Sequence, residues 1–95
     1  EDAAMRRAID ELNDEMVAAG IRVFVGGLHR AIHAVSVIRD AEGSISEKPG
    51  PYLKSSEHVA GFWVLEVENF EVVMDWAKKA AVACQAPVEV RQFHG

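Results

Sequence analysis

Two histidines four positions apart, His29 and His33, are the first side chains in the sequence that suggest chemistry. On a helix this spacing would bring both imidazoles to one face, where a third ligand would complete a zinc site. The glycine pair at 26–27 precedes them and β-branched residues follow, which predicts a turn and a strand instead. Because no third ligand stands at a matching spacing, the sequence predicts no metal site and no cofactor.

Proton transfer is the second chemistry to consider, and His33 is its best candidate. On an extended segment His33 shares a face with Arg39, and either Arg39 or Arg30 would hold an anion. Glu57 and His58 end an irregular loop, and adjacent residues on an extended chain point to opposite sides. Each of them could therefore form an acid/base pair with His33, but not with the other. The alternative is that both residues only anchor the loop.

A short motif, Pro49-Gly50-Pro51, begins that loop and is followed by two hydroxyl side chains, Tyr52 and Ser55. Both prolines fix φ and lack an amide donor, and glycine permits a backbone shape that a Cβ would block. The motif therefore predicts a rigid turn that borders a cleft. Tyr52 either packs its ring to hold this loop or contacts a ligand or partner chain.

Composition narrows the function classes. The chain has 95 residues, of which 49% are hydrophobic and 26% charged, as expected for one globular domain. Fifteen acidic against ten basic residues give a net charge of -5, which argues against nucleic-acid binding. A single cysteine excludes an intramolecular disulfide and suits a reducing cytoplasm. No apolar run approaches the roughly 20 residues of a membrane span and no signal peptide opens the chain, so no membrane association is predicted.

The periodicity of hydrophobic residues predicts the helices and strands on which these candidate residues lie. A spacing of three and four indicates helices, and alternation indicates strands. Gly20 and Asn69 supply a helix C-terminus and N-cap, and residues 40–43 supply a turn. The predicted elements are helices over 2–19 and 69–83 and strands over 21–25, 32–39, 44–47, 61–67 and 88–93.

This order predicts an α+β fold, with two helices on one face of a single antiparallel sheet, in one domain over residues 1–95. It is the pattern of a ferredoxin-like split βαβ unit without its first strand. That strand is central in such a sheet, and without it backbone groups would be unpaired. The sequence therefore predicts a further strand upstream of Glu1, lying between the strand at 88–93 and either the strand at 61–67 or the neighbour of that strand.

Several short segments match one known family in order and spacing. They are Ala19-Gly20-Ile21, Gly26-Gly27-Leu28, Ala34–Arg39, Pro49-Gly50-Pro51-Tyr52 with Ser55 and Glu57, Gly61-Phe62-Trp63 and Val88–Arg91. On these segments the chain resembles the YCII-related family, in its DGPF-domain branch. The resemblance implies a dimeric α+β barrel of largely undefined activity. Some members occur beside extracytoplasmic-function sigma factors, which implies a regulatory protein partner by association only.

The signature loop departs from the family pattern, which runs Asp-Gly-Pro-Phe and then Ala-Glu-Thr-Lys-Glu. Pro49 replaces the aspartate and Tyr52 the phenylalanine, whereas Gly50, Pro51 and Glu57 remain. The residues that form the turn are kept while its first carboxylate is lost. Any role of that acid in relatives therefore does not transfer to this chain.

Two functions follow from these observations. The first is a homodimer whose second sheet face, carrying Phe24, Phe62 and Phe93, forms a cleft that binds a small molecule or a protein segment without turnover. The second is a small-molecule enzyme of the same barrel class with His33 as general acid/base. The candidate residues are His33, Glu57 and His58 for catalysis, His29, Arg30, His33, Arg39, Tyr52 and Ser55 for ligand binding, and Pro49, Gly50 and Pro51 for the loop.

Overall fold

The computed structural model describes residues 2–94 and begins with helix α1 (Ala3–Ala19). The Asp2 carboxylate accepts the Met5 N–H at 2.8 Å and so caps the first turn. Gly20, at φ +73°, donates its N–H to the carbonyls of Met16 and Val17 and ends the helix. The predicted first helix and its glycine terminus are confirmed.

Helix α2 (Phe70–Cys84) also follows the prediction closely. The Asn69 side chain accepts the Val72 N–H at 3.0 Å, and Gln85, at φ +53°, ends the helix in place of a glycine. The two helices pack together through a small core of Leu12, Met16, Ala80 and Ala83. Ile21, Trp63 and Leu65 pack against this core.

Four strands form two separate two-stranded sheets. Strand β1 (Arg22–Gly27) pairs with β4 (Gly61–Leu65), and β2 (Val35–Arg39) pairs with β3 (Ile45–Pro49). The β2–β3 pair is an antiparallel hairpin in which Val35 lies opposite Pro49 and Arg39 opposite Ile45. Its turn is held by the Asp40 carboxylate, which accepts two backbone N–H groups at 2.9 Å.

The structure corrects the predicted sheet in three places. The strands divide between two sheets instead of forming one. Residues 88–93 form no strand within the described part of the chain, because alternation alone makes a strand only where a neighbour accepts its hydrogen bonds. The second strand begins at Val35 instead of Ile32, since Ala31–His33 forms a turn of 3₁₀ helix. The coarse class, α+β with antiparallel strands, is confirmed.

Two compact units make up the chain. The first contains the described residues up to Phe24 and from Trp63 onward, which include both helices. The second is the continuous segment Val25–Phe62, which includes the β2–β3 hairpin and the proline-containing loop. Among the described residues, neither helix is long and apolar enough to cross a membrane.

Candidate functional site

The second unit contains an open cavity of about 530 Å³. Three segments surround it: the turn after β1, the first half of β2, and the loop that follows β3. The residues that line it are 28–31, 33–37, Pro51, Tyr52, His58 and Val59. A smaller cavity of about 370 Å³ adjoins it and shares Leu28, His29, Arg30, Ala31, His58 and Val59.

Backbone hydrogen bonds hold the cavity walls in place. Gly50 donates its N–H to the Ala34 carbonyl at 2.7 Å, and its own carbonyl accepts the Ser36 hydroxyl at 2.8 Å. On another wall, Leu28 donates its N–H to the Ala60 carbonyl at 2.7 Å. The loop after β3 is therefore attached to β2 at Gly50, directly before the two lining residues Pro51 and Tyr52.

His29 and His33 come together, contrary to the sequence prediction. Their ring centroids lie 6.4 Å apart at an interplanar angle of 80°, an edge-to-face arrangement. The prediction was wrong because it placed both residues around an extended strand, whereas His33 ends the 3₁₀ turn. The 3₁₀ turn coils the chain between the two residues, so their rings lie closer together than they would on an extended strand. His33 consequently does not share a strand face with Arg39.

Five of the predicted site residues line the main cavity: His29, Arg30, His33, Tyr52 and His58. Their side chains are all largely exposed, as the open shape of the cavity requires. Among the predicted loop residues, Pro51 also lines the cavity, Gly50 anchors the loop to β2, and Pro49 is the last residue of β3.

Three other predicted residues, Arg39, Ser55 and Glu57, line neither of these two cavities. Arg39 lies at the far end of β2, four residues beyond Val35, which is about 13 Å along a strand. The Ser55 hydroxyl donates to the Glu57 backbone carbonyl at 2.7 Å, so this pair forms a local turn of the loop. Glu57 is therefore not among the residues that line a cavity with the imidazoles.

The Tyr52 ring does not hold the loop by packing. It is 70% exposed, so its burial adds little to loop stability. The hydrogen bonds of Gly50 perform that task instead. The phenol is consequently available at the cavity rim with both its ring and its hydroxyl.

None of the large apolar residues of the lining was among the predicted site residues. Leu28, Val35, Val37 and Val59 contribute large apolar side chains that are all more than half exposed. A signal was present in the sequence, since Val35 and Val37 alternate along β2 and therefore lie on one face of the hairpin. Their exposure beside the imidazoles makes this the most promising ligand surface of the second unit.

The cavity lining contains basic side chains and no acidic ones. It contains three imidazoles and one guanidinium, and neither of the two cavities has an aspartate or a glutamate in its lining. Among the described residues no group of three or more His, Cys, Asp or Glu side chains is placed to hold a metal ion.

No protein-family model and no curated protein matches the chain. The resemblance to the YCII-related family therefore stays a prediction from its motifs.

Proposed function

We propose that this chain binds a small molecule in the 530 Å³ cavity of its second unit, without chemical turnover. The observation that carries the proposal is the meeting of His29, Arg30, His33, Tyr52 and His58 at one cavity with apolar walls. Ligand sites commonly combine an apolar lining with a few convergent polar groups, and their volumes span this range. Backbone hydrogen bonds fix the walls before any ligand arrives, which lowers the cost of binding.

Binding without turnover fits the lining better than catalysis does. The hydroxyl of Ser36 already donates to the Gly50 carbonyl and so serves the loop. Glu57, the carboxylate that the sequence offered as a partner for His33, is outside both cavities. The cavity thus brings together groups that recognise a ligand, without the carboxylate–imidazole pair that the enzyme hypothesis required.

A small-molecule enzyme is the second candidate, favoured by one observation. The edge-to-face contact of His29 and His33 puts two proton-transfer groups side by side. One imidazole would accept a proton from a substrate while its neighbour orients it. This candidate predicts that His33→Gln abolishes turnover of whichever compound the cavity binds, while binding persists.

The direct test is native mass spectrometry of the purified chain, followed by identification of any small molecule that it releases. Arg30→Gln should lose that molecule, whereas the matched control Arg39→Gln should keep it, because only Arg30 lines the cavity. Tyr52→Phe should keep it too if the ring alone contributes. A retained molecule in Arg30→Gln, with loss in Arg39→Gln, would place the ligand elsewhere and contradict the proposal.

We also propose that two copies associate into a ferredoxin-like dimeric α+β barrel, as the YCII resemblance implies. The support in the chain is on β4, where alternation puts Phe62 on the face opposite to Trp63 and Leu65. Trp63 and Leu65 pack against the helical core, whereas Phe62 is 43% exposed. Sedimentation at micromolar concentration tests the association.

A further inference from the structure

We propose that the ligand of the cavity is a small carboxylate with an apolar body, such as an aromatic or branched-chain acid. This inference rests on the proposed function and adds the chemical class of the ligand to it. Two features of the lining lead there: the sign of its charge and the division between basic and apolar side chains.

The charge of the lining is opposite to that of the whole chain. The sequence carries 15 acidic and 10 basic residues, a net charge of -5. A surface with that balance would ordinarily include carboxylates, yet the residues around both cavities include Arg30 and three histidines and no acid. The lining of the cavity therefore offers hydrogen-bond donors to an anion, with no carboxylate among the lining residues.

The acidic residues closest in sequence to the lining residues are not themselves part of the lining. Glu57 precedes His58, and its backbone carbonyl accepts the Ser55 hydroxyl, but the residue lines neither cavity. Glu47 lies directly opposite Val37 across the hairpin, so its side chain is on the same face as that valine, although Glu47 itself lines neither cavity. Since no acid belongs to either lining, a carboxylate ligand would contact Arg30 and the histidines without an intervening carboxylate.

Arg30 supplies the geometry that selects a carboxylate. A guanidinium presents a planar fork of N–H donors that matches the two oxygens of a carboxylate. The imidazoles of His29 and His33, with centroids 6.4 Å apart, line the same cavity and add ring N–H donors. Together these groups recognise one compact anionic head.

The remaining lining selects an apolar body instead of a sugar or a second charge. Leu28, Val35, Val37 and Val59 are each between 53% and 69% exposed, and a ligand would cover them. Covering apolar surface favours a hydrocarbon ring or branch, because such a group loses no hydrogen bonds to water on binding. The volume of about 530 Å³ accommodates a body of one or two rings.

A matched series of probes tests the inference on the unaltered chain. The probes are 3-phenylpropanoate, 3-phenylpropanol and 3-phenylpropylamine, which share one apolar body and differ in charge, with acetate as the head alone. Binding is followed by the amide chemical shifts of residues 28–37 and 52–59 in two-dimensional NMR. We expect 3-phenylpropanoate to bind at this surface about 10-fold or more tighter than the alcohol, and the amine and acetate more weakly still.

Two variants then assign the contact. Arg30→Gln should remove the preference for the acid over the alcohol, whereas Arg39→Gln should leave it intact. Equal affinity for acid and alcohol in the unaltered chain would overturn the carboxylate inference while leaving small-molecule binding in place. If neither the acid, the alcohol nor the amine shifts the cavity amides, and the purified chain also releases no small molecule, both the inference and the proposed function are wrong.

Discussion

Replacing Gly50 with alanine should destabilise the second unit through backbone strain alone. Gly50 has φ +95°, a region that residues with a Cβ rarely adopt. A Cβ built at this position meets only the Lys54 Nζ, at 3.8 Å, so no steric clash contributes. The backbone cannot rotate to a negative φ without losing two hydrogen bonds, from the Gly50 N–H to Ala34 and from the Ser36 hydroxyl to Gly50.

The magnitude follows from two opposing terms. Holding a non-glycine residue at positive φ costs about 1–3 kcal/mol. Alanine also restricts the unfolded chain, which stabilises the fold by about 0.4–1 kcal/mol. The net loss expected for Gly50→Ala is therefore between about 0 and 2.6 kcal/mol, with a midpoint of about 1.3 kcal/mol. Each kcal/mol lost lowers Tm by about 4–8 °C in a domain of this size.

Gly27→Ala is the matched control for this experiment. Gly27 lies at the end of β1, has no positive φ and has open space around a Cβ, so alanine there should be neutral or slightly stabilising. Gly50→Asn is a second control, because asparagine tolerates positive φ better than alanine does and should cost less.

Urea unfolding followed by far-UV circular dichroism gives the free energies. Hydrogen exchange of the Gly50 amide, which is bonded at 2.7 Å, gives the local stability of the loop. If Gly50→Ala and Gly27→Ala agree within about 0.5 kcal/mol, the loop does not require positive φ and the account of its rigidity is refuted.

Three further predictions concern the strands. In Gly61→Ala the new Cβ would lie 2.8 Å from the Gly26 carbonyl oxygen, so we expect a loss of about 1–3 kcal/mol in urea unfolding, and an unchanged midpoint would contradict the close approach of the strands. Asn13→Leu removes the acceptor of the Trp63 indole N–H, a bond of 2.9 Å, and should lower the free energy of unfolding by about 1–3 kcal/mol. Asn13→Asp keeps an acceptor and should lower it less, so equal losses in the two variants would count against this bond. Phe62→Asp should weaken self-association strongly, since a carboxylate buried without a partner costs several kcal/mol, and a monomeric unaltered chain in sedimentation would exclude the dimer.

The helices could be predicted from the sequence because their ends depend on neighbouring residues. Asp2, Gly20 and Asn69 each act within four residues of their own position, through a side-chain cap or a left-handed turn. The hairpin turn after β2 is local in the same way, since Asp40 accepts N–H groups only two and four residues ahead. Because each of these interactions joins residues at most four positions apart, a short stretch of sequence contains both partners.

The strands and the candidate site were predicted less well because they depend on distant residues. The alternation in 88–93 shows that the segment can be extended, but a strand also needs a neighbour that periodicity does not identify. The 3₁₀ turn at Ala31–His33 has only three residues, too few for a helical period to be recognised, and it decides the positions of His29 and His33. Arg30 and Arg39 are the same residue type, but only Arg30 lines the cavity. Arg39 is excluded because it lies at the far end of β2, and the sequence alone does not fix where that strand begins.

The two tryptophans and the tyrosine lie in different units of the chain. Trp63 and Trp76 both lie in the unit that contains the helices, and Tyr52, the one tyrosine of the sequence, lies at the cavity of the other. Indole emission therefore reports on the helical unit, where the Trp63 ring donates to Asn13. Tyr52 places a single phenol at the cavity, and the chemical shifts of that ring would report a bound ligand there without any attached label.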